Sequence, residues 1–162
     1  MKTLIVYYSL EGNTDYAANR IAEKTGCDLL RLQPKKPYRD KGFLRIVLGG
    51  KSAISGDAPE LQDYDVDLSI YDRVVFGFPV WAGTITPPIR TFVQENEEGL
   101  KEKSKVAFAC QSGSGAETAL EKLEALLGEP FDFTGIFIDP KKKQSEETDA
   151  KIDEFAEQLK GE

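Results

Sequence analysis

The first fourteen residues constrain the fold more than any other stretch of this 162-residue chain. Residues 4–8 (LIVYY) form an unbroken apolar run that is too short for a typical helix, and residues 9–14 (SLEGNT) form a small, mostly polar turn. Such a run predicts a strand that is buried on both faces, as in a parallel sheet. Helical apolar spacing then extends over Asn13–Thr25 and stops at Gly26. We therefore expect a strand, a tight turn and a helix in immediate succession.

This turn is suited to an anion. A strand that leads through a small turn into a helix directs free backbone N–H groups and the positive end of the helix dipole at one point. Phosphate is the anion that such points bind most often. The alternative is an ordinary turn in which Asn13 or Thr14 only caps the helix. The turn lacks a Gly-Lys-Ser/Thr ending and a three-glycine fingerprint, which excludes a nucleoside-triphosphate loop and a dinucleotide fingerprint.

The composition excludes several functional classes. The chain has no histidine, so His-dependent nucleophiles and His-ligated metals are excluded, and any redox chemistry requires a bound cofactor. A net charge of −7 disfavours a nucleic-acid partner. No apolar run approaches the ~20 residues of a membrane span, and the chain leads directly into a strand rather than a signal peptide. Cys27 and Cys110 are far apart, which predicts reduced thiols and a cytoplasmic protein.

Apolar runs and helical segments alternate along the rest of the chain. Further strands are predicted over residues 28–32, 74–78, 105–110 and 131–138. Further helices are predicted over residues 43–48 within a basic stretch, from Pro87-Pro88 onward, over Ala116–Leu127 and after an N-cap at Ser145. The pattern predicts a single α/β domain over residues 1–162, a doubly wound five-stranded parallel sheet of order 2-1-3-4-5 with helices on both faces. In that order, the loops after strands one, three and four converge where ligands of such sheets bind.

These three loops resemble those of the flavodoxin family, and the resemblance covers essentially the whole chain. Residues 7–14 (YYSLEGNT) resemble the loop that holds the phosphate of flavin mononucleotide (FMN), and residues 77–84 (GFPVWAGT) resemble the second flavin loop. Residues 110–115 (CQSGSG) resemble the third loop. The last strand carries no large insertion, so the short-chain type is the closer match. The resemblance implies FMN as the cofactor, with no catalytic side chain and no metal ligand.

The candidate cofactor-binding residues follow from these motifs. They are Ser9, Leu10, Glu11, Gly12, Asn13, Thr14, Pro79, Val80, Trp81, Ala82, Gly83, Thr84, Gln111, Ser112, Gly113 and Gly115. Without Lys or Arg in the first loop, the phosphate charge must be offset by N–H groups, the Ser9 and Thr14 hydroxyls and the helix dipole. Trp81 is interpreted as a plate against the flavin ring or, alternatively, as a packing anchor for the following helix.

Two positions depart from the family pattern. Glu11 stands where the family usually has threonine or serine, and a carboxylate there would repel a phosphate dianion. Its side chain is therefore expected to point to solvent, or else the loop binds phosphate less well. The third loop lacks the aromatic residue of many electron-carrier flavodoxins, which leaves the flavin more open to a second substrate.

Three functions are compatible with this sequence. The first is an FMN-containing redox protein that carries electrons between protein partners, as the resemblance implies. The second is an NAD(P)H-dependent reductase of quinones or other small acceptors, and the third is a non-redox module for a phosphorylated ligand. Either a monomer or a homodimer is compatible with the chain.

The charged residues are predicted to lie at opposite ends of the sheet. Basic residues after strands two and five are expected near the flavin, and the acidic residues 57–72 and 95–98 are expected at the opposite end. The basic positions are Lys35, Lys36, Arg39, Lys41, Lys141, Lys142 and Lys143.

Overall fold

The structure is a computed structural model that describes residues 1–38 and 55–161. The strands in these ranges are β1 (Thr3–Tyr7), β2 (Asp28–Arg31), β3 (Arg73–Pro79), β4 (Ser104–Gln111) and β5 (Thr134–Ile138). The helices are α1 (Asn13–Thr25), α2 (Pro87–Glu95), α3 (Glu97–Leu100), α4 (Ala116–Leu127) and α5 (Glu146–Gly161), with a short 3-10 helix at Leu68–Ile70. The predicted helix over residues 43–48 lies outside the described residues, as do Arg39 and Lys41.

The five strands form one parallel sheet in the order β2-β1-β3-β4-β5. The register places Leu4 of β1 between Asp28 of β2 and Val74 of β3. The predicted fold class, strand order and doubly wound topology are confirmed. Because all strands run the same way, their carboxyl ends share one edge of the sheet, which we call the carboxyl edge.

Helices cover both faces of the sheet, which explains why the central strands are continuously apolar. Along β1, Ile5 packs in a core with Ala17, Ile21 and residues of α5, whereas Leu4 packs on the other face. That second face is covered by α2 and α4. The alternation follows from the two-residue period of strands. Every residue of β1 is therefore buried.

Gly77 in β3 is required by packing. A Cβ at this position would lie 2.3 Å from the Phe108 ring of β4, closer than any real contact. The absence of a side chain lets the Phe108 ring lie across β3 and reach the core with Phe137 and Phe155. A glycine within this strand thus marks a close approach rather than a bulge.

The helix ends follow the predicted signals. Gly26 and Gly128 adopt left-handed conformations at φ 73° and 78° and close α1 and α4 through their N–H groups. The Ser145 hydroxyl accepts a hydrogen bond from the Thr148 N–H, which confirms the predicted N-cap of α5. One face of α5 is buried; it comprises Ile152, Phe155, Ala156 and Leu159. Within the described ranges, no helix is long and apolar enough to cross a bilayer.

Candidate functional site

The first loop joins β1 to α1 and turns at Gly12. Gly12 has φ 98°, a left-handed conformation that costs glycine little, and its N–H donates to Ser9 Oγ at 3.2 Å. The Ser9 hydroxyl accepts that bond, so its own proton remains available to a ligand. Neither Asn13 nor Thr14 caps α1, because the Asn13 oxygen accepts from the loop after β5 and Thr14 Oγ1 has no partner among the described residues, so that interpretation is wrong. Within the described part of the chain, no side chain accepts a hydrogen bond from the N–H groups of the first helical turn.

The Thr14 hydroxyl is the most unusual polar group of this loop. Thr14 is fully buried, and its Oγ1 has no hydrogen-bond partner among the described residues. A buried hydroxyl without a partner is destabilising by about 1–3 kcal/mol. Burial raises the pKa of the neighbouring Cys110 thiol to about 12, and the Thr14 hydroxyl lies close enough to that sulfur to lower the pKa in part, although the pair does not have hydrogen-bond geometry. Thr14 therefore presents unused hydrogen-bonding capacity at the start of α1.

The second loop is a tight reversal over residues 81–84. The Trp81 and Thr84 backbones pair with each other, with N–O distances of 3.3 and 3.1 Å. Ala82 and Gly83 between them have φ 50° and 65°, the signs of a type I′ turn. Because alanine rarely adopts a positive φ, the Ala82 backbone is mildly strained.

Trp81 packs edge-on against two tyrosines. The ring centroids of Tyr8 and Tyr38 lie 5.7 and 5.1 Å from that of Trp81, with interplanar angles of 89° and 80°. These T-shaped contacts fix the orientation of the indole. Trp81 is only partly buried, so part of its ring faces the cleft described below. Trp81 thus lines the cleft while two tyrosines, neither of them in the following helix, contact its ring.

The third loop joins β4 to α4 and lies against the second. The Gln111 side-chain oxygen accepts a hydrogen bond from the Ala116 N–H at 2.9 Å and so caps α4. Gly115 has φ 101°, and a Cβ there would lie 3.0 Å from Gly83 Cα. Lys122 of α4 donates to the Gly83 carbonyl at 2.9 Å. The two glycines therefore permit close contact between the loops.

The three loops enclose a cleft of about 350 Å³ at the carboxyl edge. Its lining comprises Ser9, Leu10, Glu11, Asn13, Thr14, Pro79, Val80, Trp81, Ala82, Cys110, Gln111 and Ser112. All of these except Cys110 are predicted cofactor residues. The remaining predicted residues, Gly12, Gly83, Thr84, Gly113 and Gly115, shape the loops without lining this cleft. The loop motifs thus predict where the cleft lies. Cys110, near the end of β4, was not predicted to bind the cofactor, whereas its neighbours Gln111 and Ser112 were.

The loop after β5 brings lysines to the first loop, at the end of the sheet where they were predicted. The Glu11 side chain, which was expected to point to solvent, is 24% exposed, and its carboxylate lies 2.7 Å from Lys142 Nζ in an exposed ion pair. The Asn13 side-chain oxygen accepts hydrogen bonds from the N–H groups of Lys141 and Lys142 at 3.0 and 3.1 Å. The first loop is therefore tied to residues nearly 130 positions later. The only sequence signal was the lysine run itself.

Asp139 is a buried carboxylate beside the cleft. Its Oδ1 accepts a 2.6 Å hydrogen bond from the Ser112 hydroxyl and a longer one from the Asn13 amide. Lys143 lies 2.9 Å from its other oxygen. Burial would raise the pKa of Asp139, but the hydrogen bonds from Ser112 and Lys143 outweigh it and lower the pKa. Sequence reasoning missed Asp139, which lies at the end of β5 with no motif around it.

The charged segments are arranged less simply than predicted. Lys35, at the carboxyl edge, pairs with Glu60 at 2.5 Å, and their backbones are also hydrogen-bonded. Residues 57–72 thus begin at the carboxyl edge and run to the opposite edge, where the Asp72 N–H donates to the Lys2 carbonyl. The prediction that this whole acidic run lies at the opposite end is wrong for Glu60. The Lys35 charge is correspondingly offset.

A family model described as Flavodoxin matches residues 2–151. The chain belongs to the flavodoxin family. The resemblance noted in the sequence is therefore confirmed over nearly the whole chain. Family membership accounts for the parallel sheet and for the position of the three loops at its carboxyl edge.

Solved flavodoxin-like structures share this fold. A Lactobacillus acidophilus flavoprotein in complex with FMN is 21% identical with a TM-score of 0.75, and the match covers 96% of this chain and 98% of that one. The Bacillus subtilis Trp repressor binding protein is 10% identical with a TM-score of 0.63, covering 99% of both chains. The two-electron reduced Megasphaera elsdenii flavodoxin is 16% identical with a TM-score of 0.54, covering 96% and 98%. At these identities, the likeness concerns the fold.

Proposed function

We propose that this protein binds FMN in the cleft between the three loops and acts as a redox protein that carries electrons between protein partners. The observation that carries the proposal is the fully buried Thr14 hydroxyl, which has no hydrogen-bond partner among the described residues. It lies in the first turn of α1 and lines the cleft. A phosphate at this helix end would accept its proton and those of the first-turn N–H groups. The FMN complex of the Lactobacillus acidophilus flavoprotein supports the choice of ligand.

Each loop has a distinct part in this proposal. Ser9 and Thr14 would hold the phosphate, and the Trp81 ring would pack against the isoalloxazine. Ser112 would approach the polar edge of the ring with a hydroxyl whose orientation Asp139 fixes. FMN itself would supply the electron-transfer chemistry. The chain's own residues bind it, orient it and exclude water from one of its faces.

A second candidate function is reduction of quinones or other small acceptors with NAD(P)H. The open third loop favours it, because residues 112–114 are exposed and a side chain at Gly113 would meet no atom within 4 Å. The loop itself has no aromatic residue to cover a ring. A small acceptor could therefore reach the flavin from this side.

Two measurements test these functions in turn. Titrating the flavin-free chain with FMN should give a red-shifted, structured visible spectrum and saturate at one flavin per chain. Absence of binding would contradict the proposal, and binding of phosphorylated ligands without any flavin would support a non-redox module. Steady oxidation of NAD(P)H by the loaded protein with a quinone would favour the reductase. No turnover, together with rapid electron exchange with a redox protein, would favour the carrier.

A further inference from the structure

The phosphate loop contains a carboxylate, which conflicts with its proposed ligand. Glu11 lies one residue before Gly12 and is one of the residues that line the cleft. A phosphomonoester carries about 1.5 to 2 negative charges at neutral pH. An unpaired carboxylate at such short range would oppose phosphate binding through like-charge repulsion. Some group must offset this charge if the loop is to bind FMN.

Lys142 is placed to do so. Its Nζ lies 2.7 Å from a Glu11 carboxylate oxygen, and the Glu11 side chain is less exposed than the lysine, at 24% against 47%. The lysine backbone is not free to move away, because its N–H donates to the Asn13 side chain at the start of α1. Lys142 therefore contacts the phosphate loop twice, through its side chain at Glu11 and through its N–H at Asn13. Because neither side chain is fully exposed, the ion pair is less screened than one between two fully exposed charges.

The neighbouring carboxylates are paired in the same manner. Asp15, in the first turn of α1, lies 3.2 Å from an Arg31 nitrogen, and Asp139 is paired with Lys143. The base that pairs with Asp15 comes from β2, whereas the base that pairs with Asp139 comes from the same loop after β5. Lys142 is distinguished among these bases because its partner lies within the phosphate loop itself.

We infer that Lys142 is a specificity-determining residue for the phosphate group: it neutralises Glu11 and so allows an acidic loop to discriminate in favour of FMN over riboflavin. The inference rests on the proposed FMN site. A second observation at the same site is the buried, unpartnered Thr14 hydroxyl, which marks the polar ligand position independently of the charges. Lys142 acts on the ligand through Glu11 and is therefore a positioning and charge-compensating residue.

Four full-length variants test this role: Lys142→Met, Glu11→Gln, the double variant and Lys151→Met. Lys151 is a matched control, because it forms an exposed ion pair with Glu147 at 2.9 Å on α5. Dissociation constants for FMN and for riboflavin are measured by flavin fluorescence at low and high salt. Met keeps the length of the lysine stem, so packing of the chain is largely retained.

The expected pattern is specific to phosphate. Lys142→Met should weaken FMN binding about tenfold at low salt and riboflavin binding less than about twofold. Adding Glu11→Gln should restore FMN binding to within about threefold of the original chain, because the negative charge that Lys142 offsets is removed as well. High salt should reduce the difference, and Lys151→Met should change neither ligand.

Other patterns contradict the inference in distinguishable ways. Equal weakening of FMN and riboflavin by Lys142→Met, or no rescue by Glu11→Gln, would mean that Lys142 only holds the loop in place. Unchanged FMN binding would mean that the ion pair is a screened surface contact. Either result overturns this inference and leaves the proposed function intact. Failure of the original chain to bind either flavin contradicts the proposed function together with this inference.

Discussion

Asp139 Oδ1 and Ser112 Oγ are hydrogen-bonded at 2.6 Å, which joins the end of β5 to the third loop at the wall of the cleft. Asp139 is 98% buried and has a positive φ of 42°, so the backbone is held in an uncommon conformation to present this carboxylate. The same oxygen also accepts from the Asn13 amide of α1. One buried acid thus fixes the relative positions of two loops.

Asp139→Asn should destabilise the protein at neutral pH by about 1–3 kcal/mol, because the charged acceptor of Ser112 and Lys143 is lost. The folded state lowers the pKa of Asp139, so its stabilising contribution is present above the ordinary aspartate value of about 3.9 and is lost as pH falls through the lower folded value. Urea unfolding at neutral pH and near pH 3 measures this. A stability difference that stays constant or grows on acidification would contradict the assignment.

Thr14→Val should have opposite effects on the flavin-free chain and on FMN binding. Replacing a buried, unpartnered hydroxyl with a methyl group should leave the flavin-free chain equally stable or up to about 1–2 kcal/mol more stable. FMN binding should weaken about tenfold to a hundredfold, since a charge-assisted hydrogen bond is lost. Thermal unfolding and flavin titration provide the two measurements. Equal weakening of FMN and riboflavin would place the phosphate elsewhere.

Trp81→Ala should weaken FMN and riboflavin to the same extent, by about 1–3 kcal/mol, because the indole contacts a ring that both ligands share. Trp81→Phe is the control that keeps an aromatic surface between the Tyr8 and Tyr38 rings, and it should recover most of the affinity. Selective loss of FMN binding in Trp81→Ala would show that Trp81 acts on the phosphate end instead.

The fold was predictable because its signals are local. Continuous apolar runs gave the strands, and the glycines that close α1 and α4 gave the helix ends. The strand bounds differ most at β5, which begins at Thr134, whereas the predicted strand begins at Phe131. The short α3 and the 3-10 helix at Leu68–Ile70 have no periodicity long enough to detect.

The site was predictable only in part, because only some of its contacts are local in the sequence. The loop motifs correctly predicted that Thr14 and Trp81 line the cleft, because each motif directly follows a predicted strand. The contacts of Glu11 with Lys142 and of Ser112 with Asp139 join segments far apart in the chain, and they depend on how the loop after β5 packs. No spacing within either segment encodes such a contact. Hence the charge balance of the site could be established only from the folded chain.

Cys110 should be unreactive in the folded protein although it lines the cleft. Burial raises the pKa of its thiol to about 12, so almost none is thiolate near pH 8. Cys27 is partly exposed and gives the comparison. In a Cys27→Ser variant, a thiol reagent should label no group rapidly until denaturant is added, when one thiol reacts. Rapid labelling of the folded variant would mean that Cys110 is accessible and ionised.

The central claim is that the cleft selects FMN, and competition among flavins tests it most directly. The flavin-free chain is incubated with equal concentrations of FMN, FAD and riboflavin, freed of unbound flavin, denatured, and the released flavin identified by chromatography. We predict that FMN accounts for most of the released flavin, at one molecule per chain, because the first loop offers one phosphate site beside Thr14. Recovery mainly of FAD or riboflavin, or of no flavin, would contradict the account.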